Sequence, residues 1–141
     1  MTKPDIIILS CQKYKNGHSS ANHTSSSWSE IKNNFKDDLL FIFYGNEYQN
    51  ELYIYDSINK ELSIKTSDEY DNIPVKTWLA YYFWLNYTNH NSHLITFGDD
   101  CRLIDHDTFI HFKFDHDCLI ARFKSTSQPF IVPYPNPCVS F

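Results

Sequence analysis

The chain has 141 residues, a length typical of one compact domain. Apolar residues make up 42% of it and aromatic residues 17%, which is too apolar for an intrinsically disordered chain. The formal net charge is −5 and lysine and arginine form no cluster, so the composition argues against binding to nucleic acid. No run approaches the roughly 20 apolar residues of a membrane-spanning helix, and the first eleven residues turn polar too early for a signal peptide. We therefore expect a cytoplasmic protein with no membrane segment.

The first half of the chain predicts strands around one helix. The run "DIIILS" at 5–10 is continuous and β-branched, as in a strand that is covered on both faces. The Ser- and Asn-rich residues that follow predict a loop, which leads into a modest helix carrying Trp28, Ile31 and Phe35. A second buried strand is predicted for "DLLFIFYGN", and two short strands at 52–55 and 62–65.

In the second half of the chain the spacing of apolar residues changes from that of strands to that of a helix. From Asn72 onward apolar residues recur at helical spacing, with Pro74 suited to a first helical turn. The apolar run "HLITF" predicts another short strand, and "DTFIHFKFDHDCLIARF" alternates as a strand does. This alternation of strands and helices favours an α/β sheet, in which ligands bind at the carboxyl ends of the strands.

The apolar strand "HLITF" stops at Gly98, Asp99 and Asp100. Adjacent carboxylates raise one another's pKa unless a cation neutralises them, and Mg²⁺ or Mn²⁺ is commonly held by one or two carboxylates together with substrate phosphates. A solvated surface turn explains the same residues equally well. The acidic pair thus leaves a metal site and a plain turn open.

The segment "DEYDNIPVKT" resembles the Asp-x-Tyr-x-Asn-(Leu/Ile)-x-x-Lys-Thr motif of the β-1,3-galactosyltransferase-like family, glycosyltransferase family 31. In that family the motif opens a helix, and a metal-binding acidic triplet follows the next strand, where "ITFGDDCRLI" stands here. The positions in register are Asp68, Tyr70, Asn72, Ile73, Lys76 and Thr77.

The resemblance implies a single domain over 1–141 with a Rossmann-like, glycosyltransferase A-type nucleotide-binding sheet flanked by helices. It implies a UDP-hexose as donor, Mn²⁺ or Mg²⁺ as metal, and transfer of the sugar to an acceptor hydroxyl. Asp100 would be the metal ligand with Asp99 beside it. The residues implied at the nucleotide sugar are Ser10, Asp68, Tyr70, Lys76 and Asp99.

The chain departs from the family at several places. The arginine-rich segment before the first helix is replaced by "HSSANHTSSSW", and Gly98 stands where the first acid of the triplet should be. "YPNPC" at 134–138 looks like the start of a later family segment, but the motif that supplies the catalytic base is absent. We expect the donor-binding portion of a truncated, divergent transferase, incomplete at its carboxyl terminus. An active enzyme, a binding-only relative and a structural or interaction domain all remain open.

Three further interpretations concern single residues. Lys76 would be either a phosphate ligand or a surface helical lysine. Trp78, Trp84 and the nearby tyrosines are expected to be core and helix-packing residues in preference to a sugar-binding platform. The four cysteines lack metal-site spacing and are expected to be buried free thiols.

Overall fold

The structure is a computed structural model that describes residues 4–20, 23–87, 89–91 and 93–101. The predicted strand that begins near residue 107 and the "YPNPC" segment lie outside these residues. Within the described residues the fold is an α/β sheet of five strands, four of them parallel, with one helix on each face. No helix in the described part of the chain is long and apolar enough to cross a membrane.

The strands of this sheet are β1 (Asp5–Leu9), β4 (Leu39–Gly45), β5 (Tyr53–Asp56), β6 (Glu61–Ile64) and β7 (Leu94–Gly98). Their order in the sheet is β5-β6-β4-β1-β7. β1 pairs in parallel with β4 on one side and with β7 on the other, β4 pairs in parallel with β6, and β5 is the antiparallel edge strand. The five predicted strands that fall within the described residues are confirmed, with their ends shifted by at most one residue.

The helix α1 (Trp28–Phe35) covers one face of the sheet. Its amino terminus is capped by Ser27, whose Oγ accepts a hydrogen bond from the backbone N–H of Glu30 at 3.3 Å. Trp28, Ile31 and Phe35 are buried because their spacing places them on one side of the helix. They pack on Ile6, Ile8, Leu39 and Ile42, which face them from β1 and β4.

The helix α2 (Ile73–Tyr87) covers the opposite face. Its Ala80 and Phe83 pack on Ile7 of β1, since successive residues of a strand point to opposite faces. Trp84 is also buried, and its Nε1 donates to Oδ2 of Asp5 at 2.8 Å. Sequence reasoning therefore placed Trp84 correctly in the core. Trp78, by contrast, is 57% exposed, so the expectation that it lies in the core was wrong.

The segment before α1 contains more structure than the predicted loop. Residues Gln12–Tyr14 form a turn of 3₁₀ helix, and β2 (His18–Ser20) pairs antiparallel with β3 (His23–Ser25). These strands are held by backbone pairing and carry no apolar alternation, which is why the hydrophobic pattern of the sequence does not reveal them. Two further 3₁₀ turns, Lys36–Asp38 and Tyr70–Asn72, precede β4 and α2.

Candidate functional site

The candidate site lies where the order of the parallel strands reverses. From β1 the chain moves outward to β4 and then to β6, and only afterwards returns through α2 to β7 on the other side of β1. In open α/β sheets the crevice outside the carboxyl ends of the strands at such a switch point is the usual ligand site. Here the strands that flank it are β1 and β7, which end side by side with Leu9 opposite Gly98.

Ser10 and Asp99 join the two strand ends at this point. The Oγ of Ser10 donates to Oδ2 of Asp99 at 2.9 Å and accepts a hydrogen bond from Nε1 of Trp28 at 2.8 Å. The backbone N–H of Ser26, just before α1, donates to the carbonyl oxygen of Asp99 at 3.1 Å. Ser10 is buried and Asp99 is half-buried. The Ser10 hydroxyl thus holds the Asp99 carboxylate beside the ends of β1 and β7, and the contact with Ser26 holds the backbone of Asp99.

Asp68 ties three elements together from the α2 side of the sheet. Its Oδ1 accepts from the backbone N–H of Gly45 at the end of β4, and its Oδ2 accepts from the backbone N–H of Gln12 beyond β1 at 2.8 Å. The same Oδ1 forms an ion pair with Nζ of Lys76 at 2.8 Å. A carboxylate can accept several such charge-assisted bonds at once, which are stronger than bonds between neutral groups. Asp68 therefore fixes the strand ends with respect to α2.

Lys76 has no exposed surface. Besides the ion pair with Asp68, its Nζ donates to the backbone carbonyl of Ser10 at 2.9 Å. A buried ammonium group of this kind must be paired and hydrogen-bonded, because burial removes its hydration. Lys76 is therefore neither a surface lysine nor, in this geometry, open to a phosphate, and its contacts hold the backbone that carries the site.

Gly45 is required at the end of β4 by close packing. A Cβ at this position would lie 2.5 Å from the carbonyl oxygen of Thr66 and 2.8 Å from Oδ1 of Asp68. Only glycine lets these groups approach the strand so closely. From the sequence, Gly45 was identified only as the end of a strand. Its place before the Asp68 segment was the signal that could have indicated its contact with Asp68.

Asp99 and Asp100 supply two carboxylates near the switch point. Asp100 is exposed, and its Oδ1 accepts a weak hydrogen bond from Sγ of Cys101 at 3.7 Å. Among the described residues no group of three or more His, Cys, Asp or Glu side chains could hold a metal. Two carboxylates do not make a complete protein cage for Mn²⁺ or Mg²⁺. An ion that arrives with a diphosphate, and keeps phosphate and water oxygens among its ligands, needs only one or two carboxylates from the protein.

The predicted nucleotide-sugar residues fall into two groups. Ser10, Asp68, Lys76 and Asp99 are connected by the contacts above and form one polar network at the carboxyl end of the sheet. Tyr70 begins the 3₁₀ turn that follows Asp68 and is 84% exposed. Trp28 is a further member of the network, and its buried N–H is fixed by tertiary contact between α1 and β1.

Cys11 and Cys101 are free, half-buried thiols at the carboxyl ends of β1 and β7. Burial raises the pKa of the Cys11 thiol, and the ammonium group of Lys76 offsets this only in part. Burial together with the neighbouring Asp100 carboxylate raises the pKa of Cys101. A raised pKa lowers the thiolate fraction, so neither cysteine is suited to act as a nucleophile.

The fold and site define an α/β protein with a polar network at the switch point of its sheet. The chain matches no protein-family model, no curated protein and no solved structure at a significant level. The relation of residues 68–77 to the transferase motif thus stays a prediction.

Proposed function

We propose that this protein binds a UDP-hexose together with a divalent cation in the crevice between the carboxyl ends of β1 and β7. The sheet would be of the Rossmann-like, glycosyltransferase A type, and the reaction would transfer the hexose to an acceptor hydroxyl. The observation that carries the proposal is the hydrogen bond between Ser10 and Asp99, which fixes a carboxylate at the switch point of an α/β sheet.

Each part of the site has a role in this proposal. Asp100 and Asp99 would hold Mn²⁺ or Mg²⁺, and the bound ion would neutralise the charge of the departing diphosphate. Ser10 and Trp28 orient the Asp99 carboxylate, and the Asp68–Lys76 pair keeps the end of β1 in place behind it. Tyr70 offers an exposed ring at the start of α2 for contact with the nucleotide.

A second candidate function is binding of the nucleotide sugar without turnover. An inverting transfer needs a carboxylate that can take the proton of the acceptor hydroxyl. Asp68 is poorly suited to this role, because it already accepts hydrogen bonds from two backbone N–H groups and pairs with Lys76. If Asp99 and Asp100 hold the metal, this observation favours binding of the nucleotide sugar without transfer.

The test is calorimetric titration of UDP into the purified full chain, with and without Mn²⁺. We expect binding that depends on Mn²⁺ and that falls at least about tenfold in Asp100→Ala, since loss of a charged metal ligand removes well over 1.4 kcal/mol. The matched control is Asp37→Ala, which removes an exposed carboxylate beside the start of β4, away from the crevice. Equal affinity in Asp100→Ala and Asp37→Ala would refute the metal role.

The two candidate functions are then separated with a UDP-hexose. Release of UDP that requires Mn²⁺ and is lost in Asp100→Ala supports transfer, with water as the simplest acceptor. Binding without release supports the non-catalytic relative. A folded chain that binds UDP in neither condition rejects both candidates and leaves a structural or interaction domain.

A further inference from the structure

The helix α2 is apolar on both of its sides. The side against the sheet carries the buried residues Lys76, Ala80, Phe83 and Trp84. At about 100° per residue, a second set of four residues lies on the opposite side, turned away from the sheet. These residues, which we call the α2 stripe, are Val75, Trp78, Tyr82 and Leu85, exposed by 51, 57, 45 and 56%.

The spacing within the α2 stripe is that of a helix-packing seam. Its members are separated by three, four and three residues, which is the a–d–a–d pattern of two heptads. This pattern aligns side chains along one line of a helix so that a second helix can pack beside it at a shallow angle. Trp78 and Tyr82 already stack on each other, with ring centroids 5.6 Å apart and planes 14° apart, so part of the stripe is preorganised. The geometry therefore favours a helix as its partner.

The chemistry of the α2 stripe fits a second copy of the same helix. Lys76 is the only charged residue of α2 and is fully buried, so the outward side carries no charge. Two copies of a chain with net charge −5 repel each other over most surfaces, whereas two α2 stripes would meet without opposed like charges. A surface that packs on itself around a two-fold axis is the commonest arrangement of soluble homo-oligomers.

The size of the stripe sets the expected strength of the contact. With roughly 150–250 Å² for a large side chain, four side chains about half exposed offer on the order of 400 Å² per copy. A standard stable interface buries about 800 Å² per partner, and smaller ones are typical of transient contacts. The stripe therefore fits a weak, reversible dimer, not an obligate one.

We propose that the α2 stripe is a homodimerisation surface, on which α2 of a second copy packs about a two-fold axis with Trp78 at its centre. The test is sedimentation equilibrium of the full chain over a series of concentrations, combined with iodide quenching of Trp78 fluorescence. Trp78→Phe isolates the signal of Trp78 from that of the two buried tryptophans. The average mass is expected to rise from one chain to two with concentration, while quenching of Trp78 falls in parallel.

Charge variants test the position of the surface. Trp78→Glu and Trp78→Lys should each stay monomeric, because two copies place like charges on one seam, and an equimolar mixture should dimerise again through opposite charges. Ile58→Glu is the matched control, since Ile58 is 90% exposed on the turn between β5 and β6 and lies outside the stripe. It should dimerise like the natural chain. Circular dichroism checks that each variant is folded, and Tyr82→Lys replaces any variant at position 78 that is not.

Several results would overturn the proposal. A chain that stays monomeric throughout the series has no such dimer, and Trp78 shielded from iodide in the monomer would mean that the same chain covers the stripe. A dimer that persists in Trp78→Glu, or that is lost equally in Ile58→Glu, would place the interface elsewhere. Failure of the mixed variants to associate would exclude contact of stripe with stripe.

Discussion

Replacement of Lys76 by methionine tests whether the buried ion pair holds the site together. Methionine keeps the apolar stem of lysine but removes the ammonium group that pairs with Asp68 at 2.8 Å and donates to the Ser10 carbonyl at 2.9 Å. Each charge-assisted hydrogen bond contributes about 1.5–3 kcal/mol, and breaking a fully buried pair costs about 3–5 kcal/mol. The Asp68 side chain keeps 21% of its surface exposed, so water partly solvates it after the change. We therefore expect a loss of about 3 kcal/mol in the free energy of unfolding.

The assay is equilibrium unfolding in urea, followed by tryptophan fluorescence and circular dichroism. With a slope of about 1–3 kcal/mol per molar urea, a loss of about 3 kcal/mol should lower the midpoint by roughly 1–3 M. Lys65→Met is the matched control, because Lys65 is exposed at the end of β6, and its effect should stay within about 0.5 kcal/mol. An equal and small effect of both substitutions would show that the Lys76 contacts do not stabilise this fold. A double-mutant cycle with Asp68→Asn should give a coupling of about 1 kcal/mol or more.

Three other substitutions probe the same network and the sheet. Trp28→Phe removes the buried N–H that bonds to Ser10 Oγ at 2.8 Å and should cost about 1–3 kcal/mol in urea unfolding. Gly45→Ala places a Cβ 2.5 Å from the Thr66 carbonyl oxygen and should cost about 1–3 kcal/mol or more, whereas an unchanged midpoint would mean that the strand end moves freely. Burial raises the pKa of Tyr53 to about 12, so its contribution is fully present below the ordinary pKa of about 10 and is lost as pH rises towards 12. The stability of the natural chain should therefore fall more steeply between pH 10 and 12 than that of Tyr53→Phe, and parallel curves would contradict the assignment.

Local pattern was sufficient to predict most elements of the fold. The run of isoleucines in β1 and the apolar residues of β4 predict strands covered on both faces, and most residues of these two strands are buried. The apolar run of β7 predicts a short strand, and its residues are half-buried. The spacing of Trp28, Ile31 and Phe35 likewise predicts the buried side of α1. The β2–β3 hairpin was missed, since its pairing is between backbone groups and leaves no hydrophobic signal.

The site was predictable only in part. The acidic pair after β7 and the Asp68 motif could be found in the sequence, and they do lie at the same end of the sheet. The sequence did not show whether a given residue of these segments is buried or exposed, and therefore not which role it has. Lys76 was weighed as a phosphate ligand or a surface lysine, and Trp78 was expected in the core, but the first is buried and the second is exposed.

The sequence by itself determined most of the strands and both helices, because periodicity and turn residues act within about ten residues of chain. Only the tertiary structure decided that β7 returns to the far side of β1, so that Ser10 and Asp99, 89 positions apart, share a hydrogen bond. It also decided which side of α2 faces the sheet, since a helix that is apolar on both sides gives no local signal for its orientation. Burial and pairing of charges arise from contacts between distant segments, and for that reason the roles of Lys76 and Trp78 are properties of the fold.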